Sequence, residues 1–465
     1  MPGAGRHRRL ALLVTLAVLF ACLALPPLFT DLSARGQRSL LVTVIVVVLW
    51  TTATLESGAT SLLALVLLAL TGAAPGLREA FSGFANPVPY FLIGVLSMGL
   101  AVAKSGLAER IARRILTHAR GKSLAVYLHL VFALPALTFI LPSATTRSSI
   151  LVHIYEEVFA LARVPAGAPV VKAVMLALSS INRLASTALL TGGITPMMSA
   201  AIIGGLSWTG WLTLMAVPYW GLLMLGALLT WMLYRRGLAH TMPATALERA
   251  GAWKGAERRT LVIVLGASVL WLTDAIHHLD PAMPALLALV ALLIPGFGPL
   301  KWSDLDRGVG WANFFVIGAS ISLARAMGDS GAAAWLARGL VGTMPAVSRH
   351  AIATVLLLML GATALRVLIP NISGFLALAL PVAMSVGREA GLDPVLCALI
   401  VMMTGDAVLY FPVQSASSLV IYERGHVTAG EVLSFGLWMT LVAYVAILGI
   451  ALPYWSLLGY SIAVR

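Results

Sequence analysis

Charge is what this chain of 465 residues has least of. Asp, Glu, Lys and Arg together make up 11% of it, against roughly a quarter in soluble globular domains. Carboxylates are the scarcer sign, 18 against 31 basic side chains. Cysteine is nearly missing too. Cys22 and Cys397 both lie in apolar runs, which excludes a disulfide framework and a thiolate metal site. No Gly-rich loop closes on Lys-Ser or Lys-Thr, so the chain lacks a phosphate cradle with which to draw work from ATP. Its length alone would suggest three soluble domains at about 150 residues each, but there are too few charges to clothe them.

Apolar residues fill that gap, at 60% of the chain with a mean hydropathy of +0.95. Long apolar runs recur at 10–30, 39–54, 58–73, 124–141, 212–234, 260–273, 350–369 and 431–458. A bilayer core of about 30 Å takes around 20 such residues per helix, and backbone groups in lipid must be satisfied within their own element. The reading is an all-α polytopic protein of the cytoplasmic membrane. The opening run, preceded by "RHRR", has no small-residue cleavage site before "PPLFTD" and is expected to stay as a first helix. The net charge of +13 comes largely from short inter-helix segments, 6–9, 104–122 and 235–259. That distribution marks cytoplasmic loops and removes the nucleic-acid reading.

The chain also repeats itself. "FLIGVLSMGLAVAKSGLAERIARRIL" from Phe91 and "FVIGASISLARAMGDSGAAAWLARGLV" from Phe315 start 224 positions apart. "LW" recurs at 49–50 and 270–271, each time before a polar interruption. "PSATTRSS" with Ser143 and "PNISGF" with Asn371 are 228 apart, and Pro196 and Pro412 head similar segments 216 apart. Four features in one order predict two inverted-topology repeats, the usual build of secondary transporters. The first repeat takes residues 1–234, with an amphipathic helix 105–118, a re-entrant hairpin about 124–163 and a broken helix about 169–206. Residues 235–259 form a basic cytoplasmic linker. The second repeat, 260–465, has its amphipathic helix at 331–341, hairpin at about 350–388 and broken helix at about 394–424.

Such hairpins account for "FILPSATTRSSILV" (139–152), where five hydroxyls and Arg147 interrupt an apolar stretch. Irregular backbone at membrane depth survives only where protein buries it or a wet cavity laps it. The tips are therefore expected to face a polar pocket, where hydroxyls and freed carbonyls hold a cation or an oxyanion. Half-helix N-termini add partial positive charge, about 0.3–1 kcal/mol each when exposed and up to roughly 2 when partly buried.

In this order the segments resemble the divalent anion/sodium symporter family of the ion transporter superfamily. "LWTTATLESGATSLLALVLLALTG" and "FANPVPYFLIGVLSMGLAVAKSGLAERIARRIL" are similar to its early segments, and the two hairpin tips match its paired Ser-Asn-Thr signatures. The resemblance covers nearly the whole chain. It implies a homodimer whose scaffold domains hold transport domains that carry a di- or tricarboxylate, citrate among them, by an elevator movement, with sulfate in some branches. Carried over by position, it implies substrate and ion binding by Ser143, Thr145, Thr146, Thr195, Asn371, Ser373, Gln414, Ser415 and Ser417, with sodium near Ser143, Thr145, Asn371 and Ser373. The signatures differ here: Ala144 stands where the family has Asn in the first, and the second reads Asn371-Ile372-Ser373.

Two intramembrane charges join that set. Arg147, just past the first tip, is read either as a fixed cation for substrate or in place of sodium, or as half of an ion pair. Asp406 is read as a proton carrier or as a partner for Arg147 or Arg366, and Arg183 invites the same two readings. His153, Asp274, His277 and His278 are weaker candidates, the last three placed near an interface. Entry of a dianion against 100 mV, negative inside, costs roughly 4.6 kcal/mol, so uptake needs cotransported sodium or protons, or exchange for another anion. Three alternatives stay beside this reading. They are a permease for an inorganic oxyanion such as sulfate or arsenite, a channel, and an intramembrane aspartyl protease using Asp274 and Asp406.

Overall fold

The computed structural model describes residues 29, 31–116, 122–239, 251–343 and 350–463. The expected first helix at 10–30 lies outside them apart from Phe29, as do Cys22, the end of the 105–118 helix and the middle of the 235–259 linker. Among the described residues the chain is helical, with no strand and only isolated bridge positions such as the pair Leu392 and Ala463.

The first half begins with α1 (Ala34–Thr52), α2 (Ser57–Leu70), α3 (Val88–Ser105) and the amphipathic α4 (Leu107–Leu116). A hairpin of α5 (Ser123–Ile140) and α6 (Ala144–Leu161) follows. Next comes α7, which runs Pro169–Leu176, through a π-helical turn Ala177–Ile181, to Asn182–Thr187. It breaks before α8 (Ile194–Ile203), and the long α9 (Trp208–Leu238) closes the half. The second half has α10 (Gly255–Leu272), α11 (Ala282–Leu293), α12 (Trp302–Gly308), α13 (Trp311–Asp329) and α14 (Ala332–Thr343). Its hairpin is α15 (Ala351–Leu368) with α16 (Ile372–Glu389), and its broken helix is α17 (Pro394–Ala407) with α18 (Ala416–Tyr422). The last helix, α19, runs Ala429–Ala446, a π-helical turn Ile447–Ala451 and Leu452–Leu457. Seven of the described helices are long and apolar enough to span a bilayer, eight if the bent pair α12–α13 counts as one.

Local chemistry sets the breaks. Leu141 and Ile369 each precede a proline, which disfavours helical ψ, and they adopt ψ of 77° and 87°. One residue after each proline the chain restarts. Ser143 Oγ accepts from the Thr146 amide at 3.2 Å, and Asn371 Oδ1 accepts from the Gly374 amide at 2.9 Å. Side-chain capping of this kind meets one of the orphan N–H groups of a helix start. Both broken helices open on proline, Pro169 and Pro394, where the missing N–H costs nothing.

Two features differ from the sequence reading. The ends of the 235–259 linker are helical, since α9 continues to Leu238 and α10 starts at Gly255. A third break also exists: α12 and α13 meet at 66° across Gly308, Val309 and Gly310, with Gly310 at φ +68°. The halves interlock, because α18 packs on α6 of the first hairpin while α8 packs on α16 of the second. One apolar core runs through hairpins and broken helices, and a smaller one joins α1, α2 and α13.

Candidate functional site

The interlocking brings the interruptions together around a cavity of about 420 Å³. Its wall takes Ser143 to Thr146 from the α6 start, Arg183 to Thr195 across the first break, and Gly308 to Asn313 at the α12–α13 bend. Arg366, Ile372, Asp406 and Gln414 to Ser417 add to it, with Leu92, Val95 and Leu96 of α3 and Pro196 of α8 as apolar lining. The N-terminal ends of α6, α8, α16 and α18 all reach this wall, and each brings amides with no intrahelical acceptor. Gly193 sits at φ +140°, and a Cβ on Gly192 would lie 1.7 Å from the Ser186 carbonyl oxygen. Only glycine permits so tight a break.

Asp406 is the negative centre of the cavity and is 3% exposed. Arg183 Nη1 donates to its Oδ1 at 2.9 Å, and Thr195 Oγ1 donates to the same oxygen at 3.1 Å. Thr187 Oγ1 and the Tyr219 hydroxyl donate to Oδ2 at 2.9 and 3.3 Å. Arg183 and Thr187 share a face of α7 by their i, i+4 spacing, so one helix face delivers two of the four donors. Both oxygens of this buried carboxylate are thereby matched by donors. The sequence reading paired Asp406 with Arg147 or Arg366; its ion-pair partner is instead Arg183, which ties the first broken helix to the second.

Arg147 and Arg366 do a different job. Arg147 is wholly buried. Its Nη1 donates to the Leu141 and Pro142 carbonyls, Nε to Asn182 Oδ1 at 2.8 Å, and Nη2 to the Asn182 carbonyl and Ser186 Oγ. A guanidinium has five N–H donors, and here all five are engaged. Arg366 repeats the motif in the second half. Its Nη1 donates to the Ile369 and Pro370 carbonyls and its Nε to the Gly405 carbonyl at 3.0 Å. The carbonyls that each tip frees from its helix are thus held by guanidinium. Gln414 performs the same service at the second break, accepting from the Tyr410 and Phe411 amides and donating to the Arg366 carbonyl. Trp211 Nε1 caps the Thr187 carbonyl at the end of α7.

Of the residues expected at the site, Ser143, Thr145, Thr146, Thr195, Asp406, Gln414, Ser415 and Ser417 line the cavity. Arg147, Asn371 and Ser373 do not. Arg147 has no donor left for a ligand, and Asn371 caps its own helix. The four residues expected near sodium are split accordingly: Ser143 and Thr145 are on the wall, Asn371 and Ser373 behind it. Among the described residues no three His, Cys, Asp or Glu side chains gather as metal ligands do. The sequence reading missed Ser186, Thr187, Thr191 and Asn313. Of these only Thr187 had a visible signal, its place one helical turn from Arg183. The weaker candidates lie elsewhere. Asp274 accepts from the Thr209 amide and hydroxyl at the start of α9, His277 binds the Leu270 carbonyl, and His153 meets Arg424. Asp274 and Asp406 have separate partners and never meet, which removes the protease dyad.

Comparison with known proteins follows the same line. A family model for the sodium:sulfate symporter transmembrane region matches residues 7–461. A membrane protein of Cupriavidus necator is 23% identical across 97% of this chain and 93% of its own length. The sodium-dependent dicarboxylate transporter SdcS of Staphylococcus saprophyticus is 22% identical over 90% of this chain and 86% of its own. The L-tartrate/succinate antiporter of Escherichia coli is 22% identical over 77% and 76%. Among solved structures, the YdaH transporter of Alcanivorax borkumensis superposes with a TM-score of 0.52 at 16% identity, covering 84% of this chain and 90% of that one. At that identity the likeness speaks for the fold alone. Apolar spans, interlocked broken helices and a match over nearly the full length agree: this chain is a membrane transporter belonging to the sodium:sulfate symporter transmembrane-region family.

Proposed function

We propose that the protein carries a small dicarboxylate across the cytoplasmic membrane by alternating access, in exchange for another anion. The observation that carries this reading is the cavity's charge. Arg183 and Arg366 face a single carboxylate, Asp406, on its wall, and four helix N-terminal ends add to the positive side. At about 420 Å³ it stands at the small end of the roughly 300–1,000 Å³ typical of ligand sites, which favours a compact anion. Relatives named for dicarboxylates and for tartrate and succinate support the same class.

Exchange rather than sodium coupling is favoured by the tips. Carbonyl oxygens released by a helix break are natural sodium ligands, yet those of Leu141, Pro142, Ile369 and Pro370 are engaged by Arg147 and Arg366. An antiporter also avoids the roughly 4.6 kcal/mol that 100 mV sets against a dianion, because the charge returning offsets the charge entering. In this reading the hairpins and broken helices move as one body along a scaffold that includes α1, α2 and α13, which share a smaller apolar cluster of their own, and scaffolds pair in a homodimer.

Counterflow in reconstituted vesicles tests it. Vesicles filled with unlabelled succinate should take up labelled succinate saturably in sodium-free buffer, and far more than empty vesicles. Counterflow with sulfate alone would replace the substrate class. An absolute need for sodium would overturn exchange as the coupling mode, and non-saturable flux would favour a channel.

A further inference from the structure

Arg183 differs from Arg147 and Arg366 in having nitrogens that are fully buried and unmatched. Only Nη1 is engaged, on Asp406, while Nε and Nη2 are buried without any acceptor. The residue is 7% exposed and forms part of the cavity wall. Donors of a cation shut away with no partner carry a large desolvation cost, and Nε with Nη2 forms the planar fork that fits the two oxygens of a carboxylate. Asp406 cannot take up this edge: both its oxygens already accept two donors each, from Arg183, Thr187, Thr195 and Tyr219. Those bonds fix the Nη1 side of the guanidinium and leave the other edge oriented but unmatched.

Resting on the transport reading above, we infer that Arg183 is the residue that receives one carboxylate of the substrate, through its Nε–Nη2 edge, with Asp406 as the positioning residue that holds it. Substrate entry draws this edge to the cavity without breaking the Asp406 ion pair. The N-terminal ends of α6 and α8, with Arg366, which holds the Gly405 carbonyl beside Asp406, meet the second carboxylate. The site therefore distinguishes a dianion from a monoanion: a ligand with one carboxylate satisfies Arg183 or these other groups, and a dicarboxylate satisfies both.

Binding of succinate and of monomethyl succinate to the purified full-length protein tests the assignment. Arg183→Gln alone leaves Asp406 buried and unpaired and risks misfolding, so the principal variant is Arg183→Gln with Asp406→Asn, a neutral pair of similar shape. Arg183→Lys, which keeps charge without the fork, serves as the second variant. The wild type should prefer succinate to its monoester. The neutral pair should lose on the order of 10- to 100-fold in succinate affinity, while its affinity for the monoester changes much less, so the preference collapses. The lysine variant should fall between. Wild-type succinate affinity in the neutral pair, or an undiminished preference, would overturn the role of Arg183 and leave the transport reading standing. Failure of the wild type to bind succinate would instead overturn the dicarboxylate reading, and the inference with it.

Discussion

Arg147 carries five hydrogens and uses all of them on acceptors within its own hairpin and on α7. Replacing it with methionine should leave the Leu141 and Pro142 carbonyls, Asn182 and Ser186 short of donors in a dry place, where each unmet group costs about 1–3 kcal/mol. Arg147→Met is thus expected to lower the melting midpoint in detergent and the yield of folded protein, by the same amount with or without substrate. Arg147→Lys should rescue little, since three donors on a flexible stem cannot replace a planar five. A variant that folds like the wild type but has lost substrate affinity would reverse the roles given to Arg147 and Arg183. From sequence, an arginine in an apolar helix was visible as something needing a partner. What it needed was not, because its acceptors include Asn182 and Ser186, 35 and 39 positions away, and such pairings are properties of the packed fold.

Among the elements, the two hairpins were the most legible, since at Leu141-Pro142 and Ile369-Pro370 proline disfavours helical ψ in the residue before it and the helix ends there, whereas Pro135, Pro218 and Pro381 are carried inside helices. The broken helices were legible for the same reason, through Gly and Pro. Gly192→Ala tests how tight the first break is: a methyl against the Ser186 carbonyl should cost about 1–3 kcal/mol or more, read as a lower unfolding midpoint. The amphipathic α4 adds a clamp that sequence did not reveal. Arg110 donates to the Gly251 and Ala252 carbonyls and to Glu257, and lies 4.8 Å from the Trp253 ring centroid. Burial raises the Glu257 pKa, and hydrogen bonds from the Lys254 amide and Arg110 more than reverse that, so it lies below the ordinary 4.5. A depressed carboxylate stabilises fully above its unfolded value and loses that contribution as pH falls through the folded one. Protease cleavage near residue 251 should therefore stay slow at neutral pH, quicken on acidification below 4.5, and be quick at all pH values in Glu257→Gln. Cleavage indifferent to both changes would show that the clamp does not hold the linker.

For the whole molecule, the 224-residue spacing between Phe91 and Phe315 leads to a statement about sides. Repeats of opposite orientation place Lys104 and Asp329, at matching ends of α3 and α13 and both exposed, on opposite faces of the membrane. With the native cysteines replaced by serine, Lys104→Cys and Asp329→Cys should react with an impermeant maleimide from opposite sides of sealed vesicles; labelling from one side would refute inverted topology. The repeat was readable because both halves keep its punctuation. The bend at Gly308 to Gly310 was not, although a short helix, Leu77–Ala80, precedes α3 at the corresponding place in the first half. Nor was the interlocking of α18 on α6 and α8 on α16, which depends on contacts between halves rather than on the pattern within either.

The arginines that hold the tip carbonyls bear on the symmetry of the two halves. Superimposing Leu141-Pro142-Ser143 on Ile369-Pro370-Asn371 sets Arg147 against Phe375, and Arg366 against Thr138. One guanidinium approaches its turn from the returning arm and the other from the outgoing arm. Neither stands at its twin's position. The same need at two equivalent turns is met from opposite arms, so the pseudo-symmetry of the halves extends to the backbone of the tips but not to the side chains that satisfy them.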